Sequence, residues 1–306
     1  MSSYYEIFNV IAKYAEGNAV VTNKTYTSRM VKLFGAGKEL KNYDDVTTYL
    51  ITKYTKKTYK SFLTAIVVYL KATDDIPSLI AKYSDEMKRM NDLIQDETQE
   101  HIKTESENAN MVTKIDIEKI IDTLKDSLRN REEKRGDLVL FTDYQKYLVV
   151  NLYYLIPPVR NDFVDCLVYD SFITEQDTSK NYIFLVDKKL ILNRYKTKKK
   201  YGKVEIDLPE ELVDIIKSWL NLRSKLFPDL IHVKYLLLTR VMTPMGQVNL
   251  TQFLNKIFGR NVSTTMLRKS YITEKYPVIH TTNEMKKDAK AMQHSVTVQQ
   301  TAYRKK

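Results

Sequence analysis

Four stretches of this sequence hold residue types that, taken in order, could exchange one phosphodiester bond for another. Arg160 follows Pro157-Pro158-Val159, and the run from Asn193 to Lys203 carries Arg194, Lys196, Lys198, Lys199, Lys200 and Lys203 with no acid among them. Ser263-Thr-Thr265-Met-Leu-Arg268 sets Thr265 and Arg268 three apart, a spacing that predicts one face of a helix. Gln293-His294-Ser295 is followed, nine residues after His294, by Tyr303. Such an exchange needs a nucleophile, positive charge against the non-bridging oxygens, and a proton for the leaving oxygen. Arg160 and Arg268 offer planar, permanently charged forks for the oxygens. His294 can bond the phosphate or take the proton of Tyr303, whose phenol oxygen is the candidate nucleophile. Arg160 reads as sitting at a helix start, where its charge opposes the macrodipole unless an anion is present. The lysine run reads either as a solvated hairpin tip or as an element that enters a nucleic-acid groove.

Composition narrows the partner. The chain has 306 residues, 43% of them hydrophobic, which is enough for one large core or two modest ones and excludes disorder throughout. Lys and Arg number 49 against 38 Asp and Glu, giving a net charge of +11 and a pI near 9.3, which favours a polyanion. A single cysteine, Cys166, permits no internal disulfide and no cysteine zinc cluster; it is expected to pack in the core beside Arg160. The seven glycines form neither a dinucleotide fingerprint nor a phosphate loop. No run approaches the ~18 apolar residues of a membrane span, and the start lacks a secretion signal, so a soluble intracellular protein in a reducing compartment is expected. His101, His232 and His280 have no ligand-like partners at useful spacing, and surface or capping roles are expected for them.

The elements that must position these residues fall into two expected domains. Residues 1–95 read as helices. Phe62, Ile66, Tyr69 and Leu70 share one face of a helix whose start is crowded by Lys53, Lys56, Lys57 and Lys60, and Pro77 opens another that carries Leu79, Ile80, Tyr83, Met87, Met90 and Ile94. Residues 96–110 are polar and read as a linker. Residues 111–306 begin with a helix through Ile115, Ile121 and Leu128, then one from about Thr142 that stops before Pro157-Pro158. The period then changes to short β-rich runs at 182–187, 190–192 and 204–208, predicting a small antiparallel sheet. Helical spacing returns beyond Pro209 with Leu212, Ile216 and Trp219.

The order arginine, lysine, x-x-x-arginine, histidine and then tyrosine after nine residues resembles the tyrosine recombinase (phage-type integrase) family. The wording is most similar to the integrases of virophages and large DNA viruses of protists. PPVRNDF around Arg160 looks like the first catalytic-arginine box. NRYKTKKKYG looks like the hairpin bearing the catalytic lysine, best matched by Lys196 followed by Thr197. TTMLRKSY is similar to the second arginine box and gives Arg268, while QHS and the AYRKK ending are similar to the histidine box and the nucleophile, Tyr303. Residues 22–72 look like the helical core-binding domain. Two positions depart from the family pattern: Thr265 stands where the second box has a histidine, and Gln293 stands where a glycine precedes the other histidine. The Thr265 hydroxyl can still donate a hydrogen bond to a phosphate but cannot carry charge.

The resemblance implies a mainly α fold with a small antiparallel sheet, arranged as a helical core-binding domain and a catalytic domain in a C-shaped clamp on double-stranded DNA. It implies cutting and rejoining through a 3′-phosphotyrosyl intermediate, with neither metal nor ATP as cofactor, in integration of viral or mobile-element DNA. Lys196, among the other cations of the hairpin, would be the acid for the 5′ oxygen. Lys53, Lys56, Lys57, Lys60, Lys198, Lys199 and Lys200 would contact DNA. A type IB topoisomerase shares this chemistry, and an architectural DNA-binding protein with a decayed site is a reading of another class. Only Arg304, Lys305 and Lys306 follow Tyr303, so a monomer that assembles into a homotetramer on paired DNA sites is expected. The expected location is wherever viral or host DNA lies, a host nucleus or viral factory.

Overall fold

The computed structural model describes residues 3–129, 136–276 and 283–305. It divides into two compact units, Met1–Glu100 and His101–Lys306. His280 lies outside the described residues.

The first unit is helical: α1 (Tyr4–Tyr14), α2 (Val20–Gly35), α3 (Tyr43–Lys53), α4 (Lys56–Ala72) and α5 (Pro77–Gln99). Its local signals are those the sequence carries. Ser3 and Glu6 form a reciprocal capping box at α1, and Pro77 is the first residue of α5, where its missing N–H costs nothing. Helix α4 buries Tyr59, Phe62, Leu63, Ile66 and Leu70 along one stripe against Leu79, Tyr83 and Met90 of α5 and Met30 and Leu33 of α2. The buried Tyr83 hydroxyl donates to the Leu40 carbonyl at 2.8 Å.

The second unit holds α6 (Glu105–Asn110), α7 (Lys114–Arg129), α8 (Asp137–Tyr154), four strands and α9 to α14. The strands β1 (Cys166–Tyr169), β2 (Asn181–Phe184), β3 (Lys189–Leu192) and β4 (Val204–Asp207) lie in that order. Period-two alternation splits the sheet: Ile183, Leu190, Leu192 and Val204 enter the main core, while Tyr182, Phe184 and Ile191 pack on the other face with Leu167 and Tyr169. Helix α9 (Lys198–Tyr201) is one turn inside the β3–β4 connection. Helices α10 (Glu210–Leu226), α11 (Gln247–Phe258), α12 (Thr264–Lys275) and α13 (Asn283–Ala291) follow, then α14 (Val296–Val298) running into a π-helical turn at Gln299–Tyr303. Trp219 of α10 is wholly buried, 4.8 Å from the Phe141 ring, with its indole N–H on the Leu236 carbonyl at 3.0 Å.

Four expectations change. The sheet is mixed rather than antiparallel: the three expected strands pair antiparallel, but β1 joins them parallel to β2, Cys166 facing Asn181 and Tyr169 facing Phe184. Parallel pairing places no hairpin turn beside β1, so no turn signal in the sequence marks it as a strand. Where a linker was read at 96–110, α5 continues to Gln99 and α6 follows, capped by Thr104 and Glu107 in a reciprocal box. Lys53 belongs to the last turn of α3, where a cation is favourable, and only Lys56, Lys57 and Lys60 lie at the start of α4. Arg160 is not at a helix start; it lies in the turn between α8 and β1.

Candidate active site

The site is organised by the end of one helix. Helix α13 closes with the His294 N–H bonded to the Ala289 carbonyl at 3.0 Å and the Gln293 N–H bonded to Lys290 at 3.1 Å, a Schellman cap with Gln293 in the left-handed region at φ +61°. The cap turns the carbonyls of Met292 and Gln293 outward, at the negative end of the helix. Arg268 Nη2 donates to the Met292 carbonyl at 2.6 Å, and Arg160 Nη1 donates to the Gln293 carbonyl at 3.3 Å. One cap thereby holds both arginines and presents His294 next to them.

Arg268 is wholly buried on α12, and its guanidinium lies 4.4 Å from the centre of the Tyr303 ring. Its Nε and Nη1 have no hydrogen-bond partner among the described residues. Burial, together with the like charge of Arg160, lowers its pKa to about 10 against the opposing pull of Tyr303. His294 is 5% exposed, and its ring centre is 4.9 Å from that of Tyr303. Burial first, then Arg268 and Arg160, push its pKa down to about 3, so it is neutral near pH 7. Nδ1 faces the Ser295 carbonyl at 3.1 Å, which can only accept, so Nδ1 carries the proton and the unpartnered Nε2 keeps its lone pair.

Tyr303 sits at the end of the π-helical turn, a form that recurs at functional sites. The segment beyond it is fastened to α12 and to His101, which precedes α6. Thr273 Oγ1 donates to the Tyr303 carbonyl at 3.4 Å and accepts from the Lys305 N–H at 2.9 Å, while His101 Nδ1 lies 3.2 Å from the Arg304 carbonyl. His101 is therefore buried and engaged rather than on the surface; His232 is exposed as expected. Glu107 is buried between Lys269 and Lys305; burial would raise its pKa, but Lys269, the Thr104 N–H and Lys305 outweigh it and lower it. Tyr271, a neighbouring tyrosine, is occupied otherwise: its hydroxyl donates to Asp288 at 2.9 Å, and burial pushes its pKa up to about 12.

The lysine hairpin is tied to the same cap. Thr197 Oγ1 donates to the Gln293 carbonyl at 3.0 Å, next in sequence to Lys196, which is exposed. Asn181 at the start of β2 makes a second tie. Its Oδ1 accepts from the N–H groups of Asn193 and Arg194 at 3.0 and 2.8 Å, and its Nδ2 donates to the carbonyls of Asp162 and Arg194. Asp162 in turn accepts from the Arg160 N–H at 3.0 Å and from Gln293 Nε2 at 2.9 Å; burial raises its pKa in spite of these bonds.

The structure thus groups Arg160, Arg268, His294 and Tyr303, with Lys196 on a tethered loop. Thr265 is exposed in the first turn of α12, whereas its neighbour Thr264 is buried and donates to Asn161 Oδ1 at 2.9 Å. Cys166 is buried in β1, where burial pushes its thiol pKa up. Among the lysines read as DNA contacts, Lys56 pairs with Glu97, Lys60 with Asn91, Lys53 with the Tyr49 hydroxyl and Lys198 with the Thr178 carbonyl. Lys57, Lys199 and Lys200 are exposed. Asp162 and Asn181 were not singled out from sequence; the only signal was their place beside Arg160 and at a strand start.

No protein-family model matches the chain, and no curated protein matches it. Among solved structures, the crystal structure of XerA recombinase is similar over 97% of this chain and 93% of its own, at 16% sequence identity and a TM-score of 0.42.

Proposed function

We propose that this chain is a DNA strand transferase of the tyrosine recombinase type, acting on double-stranded DNA. The observation that carries the reading is Arg268: a buried guanidinium against the Tyr303 ring, with Nε and Nη1 lacking hydrogen-bond partners among the described residues. A buried charge in that condition is costly unless an oxyanion completes it. Arg160 supplies a second fork from the same helix cap.

In the proposed reaction the bound phosphate offsets the charge of Arg160 and Arg268 that holds His294 neutral, so that Nε2 accepts the Tyr303 proton as the phenol oxygen attacks phosphorus. A phosphotyrosyl ester forms on the 3′ side as the bond to the 5′ oxygen breaks. Lys196 delivers a proton to that oxygen, and Arg160 and Arg268 hold the non-bridging oxygens as charge accumulates. Attack by a 5′-hydroxyl from another strand reverses each transfer and rejoins the DNA. The exposed Lys57, Lys199 and Lys200 add sequence-independent phosphate contacts. Integration of viral or mobile-element DNA, at the place in the cell where that DNA lies, is the biological role we assign to this chemistry.

The test is incubation with a pool of random-sequence duplexes followed by denaturation. Wild-type protein is expected to carry covalently bound DNA, and Tyr303→Phe to carry none while binding duplex nearly as well. Adduct at wild-type level in Tyr303→Phe overturns the assignment of the nucleophile. Supercoil relaxation with no transfer between duplexes at any concentration favours a topoisomerase instead.

A further inference from the structure

Gln293 occupies a position that glycine fits better. A side chain at φ +61° is strained relative to glycine, and the Schellman cap needs only the backbone there. The residue is nevertheless a glutamine with no exposed surface. Both ends of its amide are engaged: Oε1 accepts from Arg160 Nη1 at 3.3 Å, and Nε2 donates to Asp162 Oδ2 at 2.9 Å. Asp162 also fixes the main chain of Arg160 through its N–H. The guanidinium is thus held from one side by the carbonyl of Gln293 and by its side chain, and the turn that carries it is held by Asp162.

We propose that Gln293 is a positioning residue that sets the guanidinium of Arg160 for the reacting phosphate, and that this is why a strained glutamine is kept at the cap. The inference rests on the strand-transfer reading for its consequence in rate, but the geometric claim concerns Arg160 alone. The amide bridges two partners of opposite demand, an N–H donor and a carboxylate, so it also keeps Arg160 from pairing directly with Asp162. A direct pair would draw the guanidinium toward the carboxylate and away from a ligand.

Two variants separate this role from a purely structural one. Gln293→Gly relieves the backbone strain and keeps the carbonyl that Arg160 and Thr197 use; Gln293→Met keeps the volume and loses the amide. Both are expected to lose some stability, because the buried Asp162 carboxylate loses its amide donor. At a temperature where they remain folded, they are expected to bind the random duplex pool as wild type does and to form adduct about tenfold to a hundredfold more slowly. In an Arg160→Ala background, where the group to be positioned is gone, the same substitutions should have no further effect on rate. Wild-type rates in both variants, or equal slowing with and without Arg160, overturn the proposal. A readout independent of catalysis is the rotation of the Arg160 guanidinium followed by nuclear magnetic resonance in the free protein. It is expected to be slow in wild type and fast in both variants, and unchanged rotation overturns the proposal. Should wild-type protein form no adduct at all, the strand-transfer reading fails while the rotation measurement still decides the role of Gln293.

Discussion

His294 shows how burial and charge combine at a single residue. Its imidazole is held neutral by desolvation and by two guanidinium groups, against the opposing pull of the Ser295 carbonyl and, less, of Asp288. The folded-state pKa, about 3, lies below the ordinary value of 6.5, so the unfolded chain binds more protons between these limits. The stability contribution is complete above pH 6.5 and is lost as pH falls toward 3. At pH 5 the loss is about 2 kcal/mol. Urea unfolding at pH 7.5 and pH 5.0 should show that difference in wild type and lack it in His294→Gln; equal pH dependence in both proteins contradicts the assignment. Lys196 belongs to the same scale. Lys196→Ala should slow cleavage of ordinary DNA far more than cleavage of DNA with sulfur at the 5′ bridging position, because a thiolate leaves without a proton. Equal slowing means that Lys196 acts electrostatically, or that Lys198, Lys199 or Lys200 is the acid. The groups proposed to react were legible because the chemistry restricts their type and they occur in a telling order. Gln293 and Asp162 acquire their roles only when residues 160, 197 and 293 meet, and no local pattern encodes that meeting.

At the scale of elements, the cap of α13 and the amide of Asn181 join three segments distant in sequence: the Arg160 turn, the lysine hairpin and the histidine turn. Asn181→Ala removes four hydrogen bonds at a buried position and leaves main-chain groups without partners. The expected cost is about 2–3 kcal/mol in chemical unfolding. Faster proteolysis between Asn193 and Lys203 should accompany it, and undiminished stability contradicts the tie. The longer helices such as α4 and α5 were legible from the 3.6-residue spacing of their buried faces. Helix α6 was not, because its six residues carry no apolar stripe; its signal was the Thr104–Glu107 capping box. Strand β1 was missed because parallel pairing has no turn to announce it, whereas the antiparallel strands are set off by polar connections.

For the whole molecule, the net charge of +11 governs how copies meet. Like-charged protomers repel in solution, and under the proposed function a duplex would remove that repulsion while holding them close. Free protein should therefore sediment as a 35.9 kDa monomer, and assemblies approaching four protomers should form on DNA carrying paired sites. A stable tetramer without DNA contradicts this account of assembly. The central claim is that Tyr303 makes the covalent bond, and protease digestion of the denatured protein–DNA adduct with mass spectrometry of the DNA-bearing peptide tests it most directly. A peptide containing Tyr303, joined through the phenol oxygen to a 3′-phosphate, is the predicted result. DNA attached at Tyr271 or Ser295, or attachment through a 5′-phosphate, would contradict it.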